Sequence, residues 1–259
     1  MSLTDRTFET LVLRAADEGV LEVRLNRPKT MNALNAAMVR ELIAVFEGLN
    51  EDRNTRVVVL TGEGRGFCAG ADMVEPAAAG AVPGTDGMGE LGFVYKYQEW
   101  LTRAVLAIHE CDKPVIAAVN GVAVGGGLAL ALASDIRVAS EDARFGAVFI
   151  KTGLSNCDVG TSYLLPRLIG AGVAAELMLT GRIVDAPEAR DLGLANRVVA
   201  AEALEETGME IARAIRGNAE YGVWMTKKGL RTALDASSLR HAMEMENRTQ
   251  VLGYFTGAM

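Results

Sequence analysis

A chain of 259 residues is long enough to bury a full core, either as one large domain or as a domain with an appendage. Half of its residues are apolar and its net charge is −7; that balance argues against nucleic acid as the main partner, and no basic stripe with interleaved aromatics runs through it. Apolar content this high points instead to buried subunit interfaces. The opening Met1-Ser2-Leu3-Thr4-Asp5-Arg6 lacks the apolar core of a signal peptide, which makes the cytoplasm the default compartment. Cys68, Cys111 and Cys157 are odd in number and lack metal-ligand spacing, so they read as reduced thiols and no metal site is expected.

Residues 8–14 and 19–25 alternate well enough to predict a hairpin, with Ala16-Asp17-Glu18-Gly19 as its turn. Asn26-Arg27-Pro28-Lys29 breaks the second strand. Asn35 is placed to cap a helix whose apolar positions Met38, Leu42, Val45, Phe46 and Leu49 recur at helical spacing. Val57-Val58-Val59-Leu60 predicts a strand covered on both faces.

Gly62-Glu63-Gly64-Arg65-Gly66-Phe67 then follows a strand and invites a dinucleotide reading. The third glycine of G-x-G-x-x-G would fall at Phe67, so that reading fails, and no G-x-x-x-x-G-K-[ST] phosphate loop is present. Ala69-Gly70-Ala71 is small-residue backbone, and a helix is expected to start at Asp72. Residues 74–92 are the least patterned part of the chain, either a lid or a poorly ordered loop without function. Residues 97–109 predict an amphipathic helix through Trp100, Leu101, Ala104, Val105 and Ile108.

The chain is organised around residues 113–135. Residues 115–119 read as a buried strand, opened by Pro114 and closed by the turn pair Asn120-Gly121. Gly125, Gly126 and Gly127 then hinge into a helix of Leu and Ala over 128–134. Glycines at a strand-to-helix turn let the backbone approach a ligand closely and leave peptide N–H groups free at the helix start. With the positive end of the helix dipole behind them, those groups suit a negative charge developing on oxygen. Two readings compete: tight helix–sheet packing alone, or a membrane span, since residues 114–134 carry no charge. Against the span, each mid-run glycine costs a helix roughly 1 kcal/mol.

Residues 136–139 predict the next strand. A polar loop over 153–163 holds Asp158, with helix beginning near Leu164-Leu165-Pro166-Arg167. Further helices are expected at 171–179 and 186–192. From Ala201 onward the period is helical, through Ile211, Ile215, Trp224, Leu230 and Met243, a tail suited to packing on a neighbour. No internal repeat is visible. His109 and His241 are lone histidines on helices and read as structural.

These residues carry a family likeness. Arg27-Pro28-Lys29 with Asn32-Ala33-Leu34, Phe67-Cys68-Ala69-Gly70-Ala71-Asp72, Lys113-Pro114-Val115-Ile116-Ala117, and Asn120-Gly121 with Gly125-Gly126-Gly127 resemble the crotonase superfamily of enoyl-CoA hydratases and isomerases. The likeness keeps its order from about Asn26 to Arg197 and includes Leu179-Thr180-Gly181 and Gly193-Leu194. It implies an α/β fold, a crotonase-like spiral of ββα repeats over 1–200, with a C-terminal helical trimerisation region over 201–259. It also implies a homotrimer or dimer of trimers acting on an acyl-CoA substrate, with coenzyme A entering as part of the substrate and no separate cofactor. By the same likeness, the N–H groups of Ala71 and Gly126 form an oxyanion hole for the thioester carbonyl; losing one such donor typically costs about 3–4 kcal/mol of barrier. The Ala69 carbonyl would face the adenine of coenzyme A, Lys29 would meet its phosphates, and Asp72 matches a family position at the same site, although an Asp there also suits a helix cap. Lys227 or Lys228 would reach the phosphates of another subunit's ligand. The likeness also implies more helix beyond Tyr254-Phe255-Thr256, so a shortened tail is expected.

The chain departs from the family where hydratases hold a water between two glutamates. The corresponding positions are Ala129 and Phe149, neither of which transfers a proton. Asp158 remains; isomerase-like and dehalogenase-like relatives carry an aspartate there, often in Pro-Asp-Gly-Gly, whereas the local string here is Asn156-Cys157-Asp158-Val159-Gly160. A single carboxylate there would shuttle one proton between two carbons of an enolised acyl-CoA; alternatively it caps the following helix. Three functions follow: isomerisation through Asp158, thioester hydrolysis or dehalogenation with Asp158 as nucleophile, or acyl-CoA binding without chemistry. Cys157 lacks a basic partner and reads as a packed thiol.

Overall fold

The protein, a computed structural model, is described over residues 3–74 and 81–256. Strands β1 (Leu11–Asp17) and β2 (Val20–Leu25) form the expected antiparallel hairpin. A 3₁₀ turn at Pro28–Thr30 interrupts the chain. Helix α1 (Ala36–Gly48) follows, its Asn35 cap accepting a hydrogen bond from Met38 N at 3.0 Å. Next come β3 (Val57–Gly62), β4 (Gly66–Cys68), α2 (Glu90–Glu110), β5 (Val115–Val119), β6 (Val122–Val124), α3 (Gly126–Ala133), β7 (Ile136–Ser140) and β8 (Arg144–Gly146). After a polar loop come α4 (Thr161–Ile169), α5 (Ala171–Thr180), β9 (Val184–Asp185), α6 (Ala186–Asp191), β10 (Arg197–Val199), α7 (Leu204–Arg216), α8 (Glu220–Leu234) and α9 (Leu239–Tyr254).

The strands form a six-stranded sheet, β1-β2-β3-β5-β7-β10, and a four-stranded sheet, β4-β6-β8-β9. The pairs β3/β4, β5/β6 and β7/β8 each place their first strand in the large sheet and their second in the small one, with α2 and α3 between pairs. That is a spiral of ββα turns, a repeat carried by geometry rather than by recurring residues. Both faces of the large sheet are covered, which explains its uninterrupted apolar runs. Val58, Leu60, Val115, Ala117 and Val119 point into the main core with α1, α2 and α3, while Val57, Val59, Ile116, Ala118 and Val138 lie under Leu204, Met209 and Ala212 of α7.

Helices α8 and α9 pack chiefly on each other, and α8 meets the body through polar contacts. Lys227 is buried: its Nζ donates to the Lys113 carbonyl at 2.8 Å and lies 2.7 Å from Asp135 Oδ2. Lys228 pairs with Asp112 at 2.9 Å, and Arg231 donates to the His109 carbonyl. The expectation that Lys227 reaches a neighbouring subunit's ligand is thereby corrected, because its ammonium is buried against an acid of its own chain; Lys228 is partly exposed beside Asp112. Among the described residues, no helix is long and apolar enough to cross a membrane.

Two further expectations change. No helix begins at Asp72, whose carboxylate is taken by Arg27 at 2.8 Å and by Val74 N at 3.0 Å. Within the loop expected at 74–92, residues 75–80 lie outside the described residues, and α2 starts at Glu90, earlier than its apolar period indicates.

Candidate active site

The glycine hinge sets the first wall. Gly125 takes φ 54° and ψ −121°, a conformation open to glycine alone, and its N–H donates to the Gly146 carbonyl at 2.9 Å. Gly127 lies so close to β4 that a Cβ on it would stand 2.0 Å from the Cys68 carbonyl oxygen. Behind this turn α3 is buried along its whole length. Its far end is closed by Arg137, whose guanidinium donates to the carbonyls of Ser134 at 2.7 Å and Leu194 at 2.8 Å. Burial pushes the Arg137 guanidinium down to about 10, with Asp135 working in the opposite direction. A cation at the carbonyl end complements the helix dipole, and the opposite, positive end begins at Gly126.

The second wall is the segment after β4. Leu34 pairs with Ala71 as an isolated parallel bridge: Leu34 N donates to the Gly70 carbonyl at 2.7 Å and Asp72 N to the Leu34 carbonyl at 3.0 Å. In such a bridge the middle residue's own N–H faces away from its partner, so the Ala71 amide turns from Leu34. The two walls touch. A Cβ on Gly70 would stand 3.2 Å from Gly126 N, and one on Gly126 would stand 3.8 Å from Ala71 N. Among the described residues, neither the Ala71 nor the Gly126 N–H has an acceptor within the chain.

A buried polar frame fixes the Ala71 wall. Arg27 donates to the Ala33 carbonyl at 2.6 Å as well as to Asp72, whose side chain is almost fully enclosed. Asn32, buried at φ 57°, accepts from Arg27 N at 2.8 Å and donates to the Gly66 carbonyl at 2.8 Å. Asp72 is therefore committed to Arg27. Ala69 is half-buried on the same segment, and Lys29 is exposed on the 3₁₀ turn beside it.

The two positions at which the resemblance expects the hydratase glutamates are apolar in space as in sequence. Ala129 is fully buried in α3, and the Phe149 ring reaches within 3.5 Å of where a Cβ on Gly125 would stand. From Phe149 the chain runs to Asn156, whose amide donates to the Ala147 carbonyl at 2.9 Å and the Met178 carbonyl at 2.5 Å, pinning the loop that carries Asp158.

Asp158 does not cap α4. The cap residue is Gly160, with no side-chain hydrogen bond to the helix, and only the Asp158 main-chain carbonyl accepts, from Thr161 N at 2.8 Å. Its carboxylate instead receives Gln98 Nε2 from α2 and Val159 N at 2.8 Å. Burial pushes the Asp158 carboxyl above its ordinary value, against those two hydrogen bonds. Val159 is buried at φ 39°, a left-handed conformation that a β-branched residue seldom adopts, and such strain gathers at functional loops. Next to Gln98, the half-buried Tyr97 has its hydroxyl pushed up by burial and by the charge of Asp72, so α2 links the Asp72 and Asp158 ends of the site.

Sequence reasoning missed Gln98, the Arg27–Asp72 pair and the strain at Val159. Gln98 lies on the exposed face of α2, where its type and spacing carry no signal. Of the thiols, Cys157 is exposed and Cys68 is buried, its thiol pushed up to about 12 by burial.

Comparison with known proteins fits this geometry. A sequence model described as Enoyl-CoA hydratase/isomerase matches residues 15–255. The chain is 43% identical over 232 residues to the probable enoyl-CoA hydratase echA12 of Mycobacterium bovis, covering 90% of this chain and 80% of that protein. It superposes on a probable enoyl-CoA hydratase/isomerase from Mycobacterium abscessus with a TM-score of 0.88 and 38% identity, covering 95% of this chain and 90% of the other. A monofunctional enoyl CoA isomerase from M. smegmatis gives 0.76 at 40% identity, covering 90% and 98%. A spiral of ββα turns, a glycine hinge opposite Ala71 and a likeness spanning nearly its whole length make this chain a member of the enoyl-CoA hydratase/isomerase family, within the crotonase superfamily.

Proposed function

We propose that the chain is an acyl-CoA double-bond isomerase. The thioester oxygen of a 3-enoyl-CoA rests between the N–H groups of Ala71 and Gly126. Asp158 takes a proton from C2, and the C–H electron pair moves toward the carbonyl, giving an enolate whose negative oxygen the two amides hold. The protonated Asp158 then returns the proton to C4, the electrons flow back, and the double bond comes to lie between C2 and C3. Lys29 and the Ala69 carbonyl, on the segments flanking Ala71, meet the phosphates and adenine of coenzyme A, and Asp72 holds that wall through Arg27.

One observation carries the choice of isomerisation over hydration. The two positions that would hold a water are a buried methyl at Ala129 and a ring at Phe149, while the carboxylate that remains at Asp158 is pushed up by burial and free of any capping duty. An acid whose pKa is raised by burial is a stronger base when ionised, which favours taking a proton from carbon.

The same reading makes the enzyme cytoplasmic and assembles it as a homotrimer or dimer of trimers through α8 and α9. In support, those helices leave Leu230, Leu234, Leu239, Val251 and Leu252 exposed in the single chain.

The test is incubation with 3-enoyl-, 2-enoyl- and aryl-CoA thioesters while following the double bond and free thiol. Migration abolished in Asp158→Asn supports isomerisation. Release of free coenzyme A would favour Asp158 as a nucleophile, and tight binding without turnover would make the chain a binder; either result overturns the proposal.

A further inference from the structure

We infer that Gln98 is a positioning residue that holds one oxygen of Asp158 and leaves the other, Oδ2, as the atom that exchanges protons with substrate. This rests on the isomerase reading above. Both hydrogen bonds into the carboxylate, from Gln98 Nε2 and from Val159 N, end on Oδ1. Among the described residues no donor reaches Oδ2. A carboxylate tied at one oxygen cannot spin about its terminal bond without losing two hydrogen bonds, so its free oxygen keeps a fixed direction.

The two ties are held independently. The Val159 N–H is presented by the strained backbone at φ 39°, and Gln98 comes from α2, remote in sequence. The charged groups on the surrounding elements are these. On α2, Lys96 pairs with Glu99 at 2.7 Å; on α4, Arg167 stacks over Tyr163 and pairs with Asp235 at 3.3 Å. Lys151, on the turn at Phe149–Thr152, lays its stem against Gly181. The balance on Asp158 is thus set by burial against two hydrogen bonds, with Gln98 as the adjustable one.

The experiment compares wild type with Gln98→Met, which keeps shape and helix propensity but removes the donor, and Gln98→Glu, which replaces the donor by a like charge. Gln98 is exposed on α2, so both variants are expected to fold. A donor to a carboxylate favours its ionised form. Removing it is expected to move the acid limb of kcat/KM to higher pH, lowering kcat/KM on that limb by about tenfold with KM little changed. Gln98→Glu is expected to move it further. The Asp158 carboxyl-carbon resonance, assigned by its loss in Asp158→Asn, is titrated in parallel and is expected to move in the same order. If that resonance titrates alike in all three proteins, the inference about Gln98 is overturned whatever the kinetics show. If it moves as expected while Asp158→Asn still isomerises substrate, Gln98 ties the carboxylate as inferred but Asp158 is not the proton shuttle.

Discussion

Replacing Gly127 by alanine probes the closeness on which the proposed oxyanion hole depends. The added Cβ would stand 2.0 Å from the Cys68 carbonyl oxygen, 2.7 Å from its carbonyl carbon and 2.8 Å from its Cβ. Ordinary carbon contacts begin near roughly 3.5 Å, so α3 and β4 must part by more than an ångström. No flexible side chain can yield: Cys68 is fully buried, and β4 is paired to β6. Overpacking of this kind costs typically 1–3 kcal/mol, and backbone on both sides puts Gly127→Ala at the top of that range. Alanine returns about 1 kcal/mol of helix propensity, leaving a net loss of about 2 kcal/mol. For a chain of this size that is a fall in Tm of about 4–8 °C, read at matched protein concentration. Turnover is expected to suffer more, since the same shift carries Gly126 N away from Ala71. Gly126→Ala is the internal comparison. Its Cβ meets the tip of Leu34 at 2.9 Å, which can rotate, and Ala71 N at 3.8 Å, so stability is expected to stay within about 1 kcal/mol while turnover falls. A Gly127→Ala protein that unfolds within about half a kcal/mol of wild type would refute the reasoning.

Lys227→Met leaves Asp135 without its cation; buried pairs broken this way lose about 3–5 kcal/mol, and because the Asp135 side chain is 31% exposed, urea unfolding is expected to show about 2. Adding Asp135→Asn is expected to recover part of that loss, and the KM for acyl-CoA is expected to stay unchanged. Lys228→Met, which opens a half-exposed pair, is expected to cost under about 1 kcal/mol. Asp158→Asn is expected to stabilise the protein at neutral pH while abolishing isomerisation. Burial raises the Asp158 carboxyl in the folded chain, so the folded state holds that proton more tightly than the unfolded one. Its contribution is greatest below the ordinary carboxylate range and is lost as pH rises through the raised value. The advantage of Asp158→Asn should therefore grow from pH 4 to pH 7 in urea midpoints, and an advantage that shrinks over that range contradicts the raised pKa.

What the sequence made legible follows from where the deciding interactions lie. Val115–Val119 and the Asn35 cap are local, written in a five-residue apolar run and in a side chain reaching three residues ahead, and both stand as read. Strands β6 and β8 are three residues each, too short for a period; β6 exists because β4, more than fifty residues earlier, offers its edge, and β8 because β6 in turn offers its own. Asp72 carries a helix-start signal, but the guanidinium of Arg27, 45 residues earlier, takes its carboxylate. Lys227 looked like a surface cation near the chain's end. Its environment is set by Asp135, which also accepts from Val115 N at 2.7 Å and so anchors the start of β5. Each departure is a long-range partner overriding a sound local preference.

The same distinction explains why the reaction is harder to read than the family. The amide walls are specified by glycines, whose positive φ and missing Cβ leave a visible trace at Gly70, Gly125 and Gly127. Proton chemistry is specified by which acid remains and by what surrounds it. In the proposed reaction the ring at Phe149 and the methyl at Ala129 stand where the resemblance puts the water-holding glutamates, and neither can activate a water for addition to C3. A proton taken by Asp158 then has carbon as its nearest acceptor. The experiment that separates this from a slow hydration is isotopic: for 3-enoyl-CoA turned over in D₂O, the hydrogen newly delivered to C4 is expected to be protium in a fraction of product, as one carboxyl hands on the same proton it took from C2. Deuterium at that added C4 position in all of the product, together with 3-hydroxyacyl product, would place a solvent water in the site and end the argument for a lone shuttle.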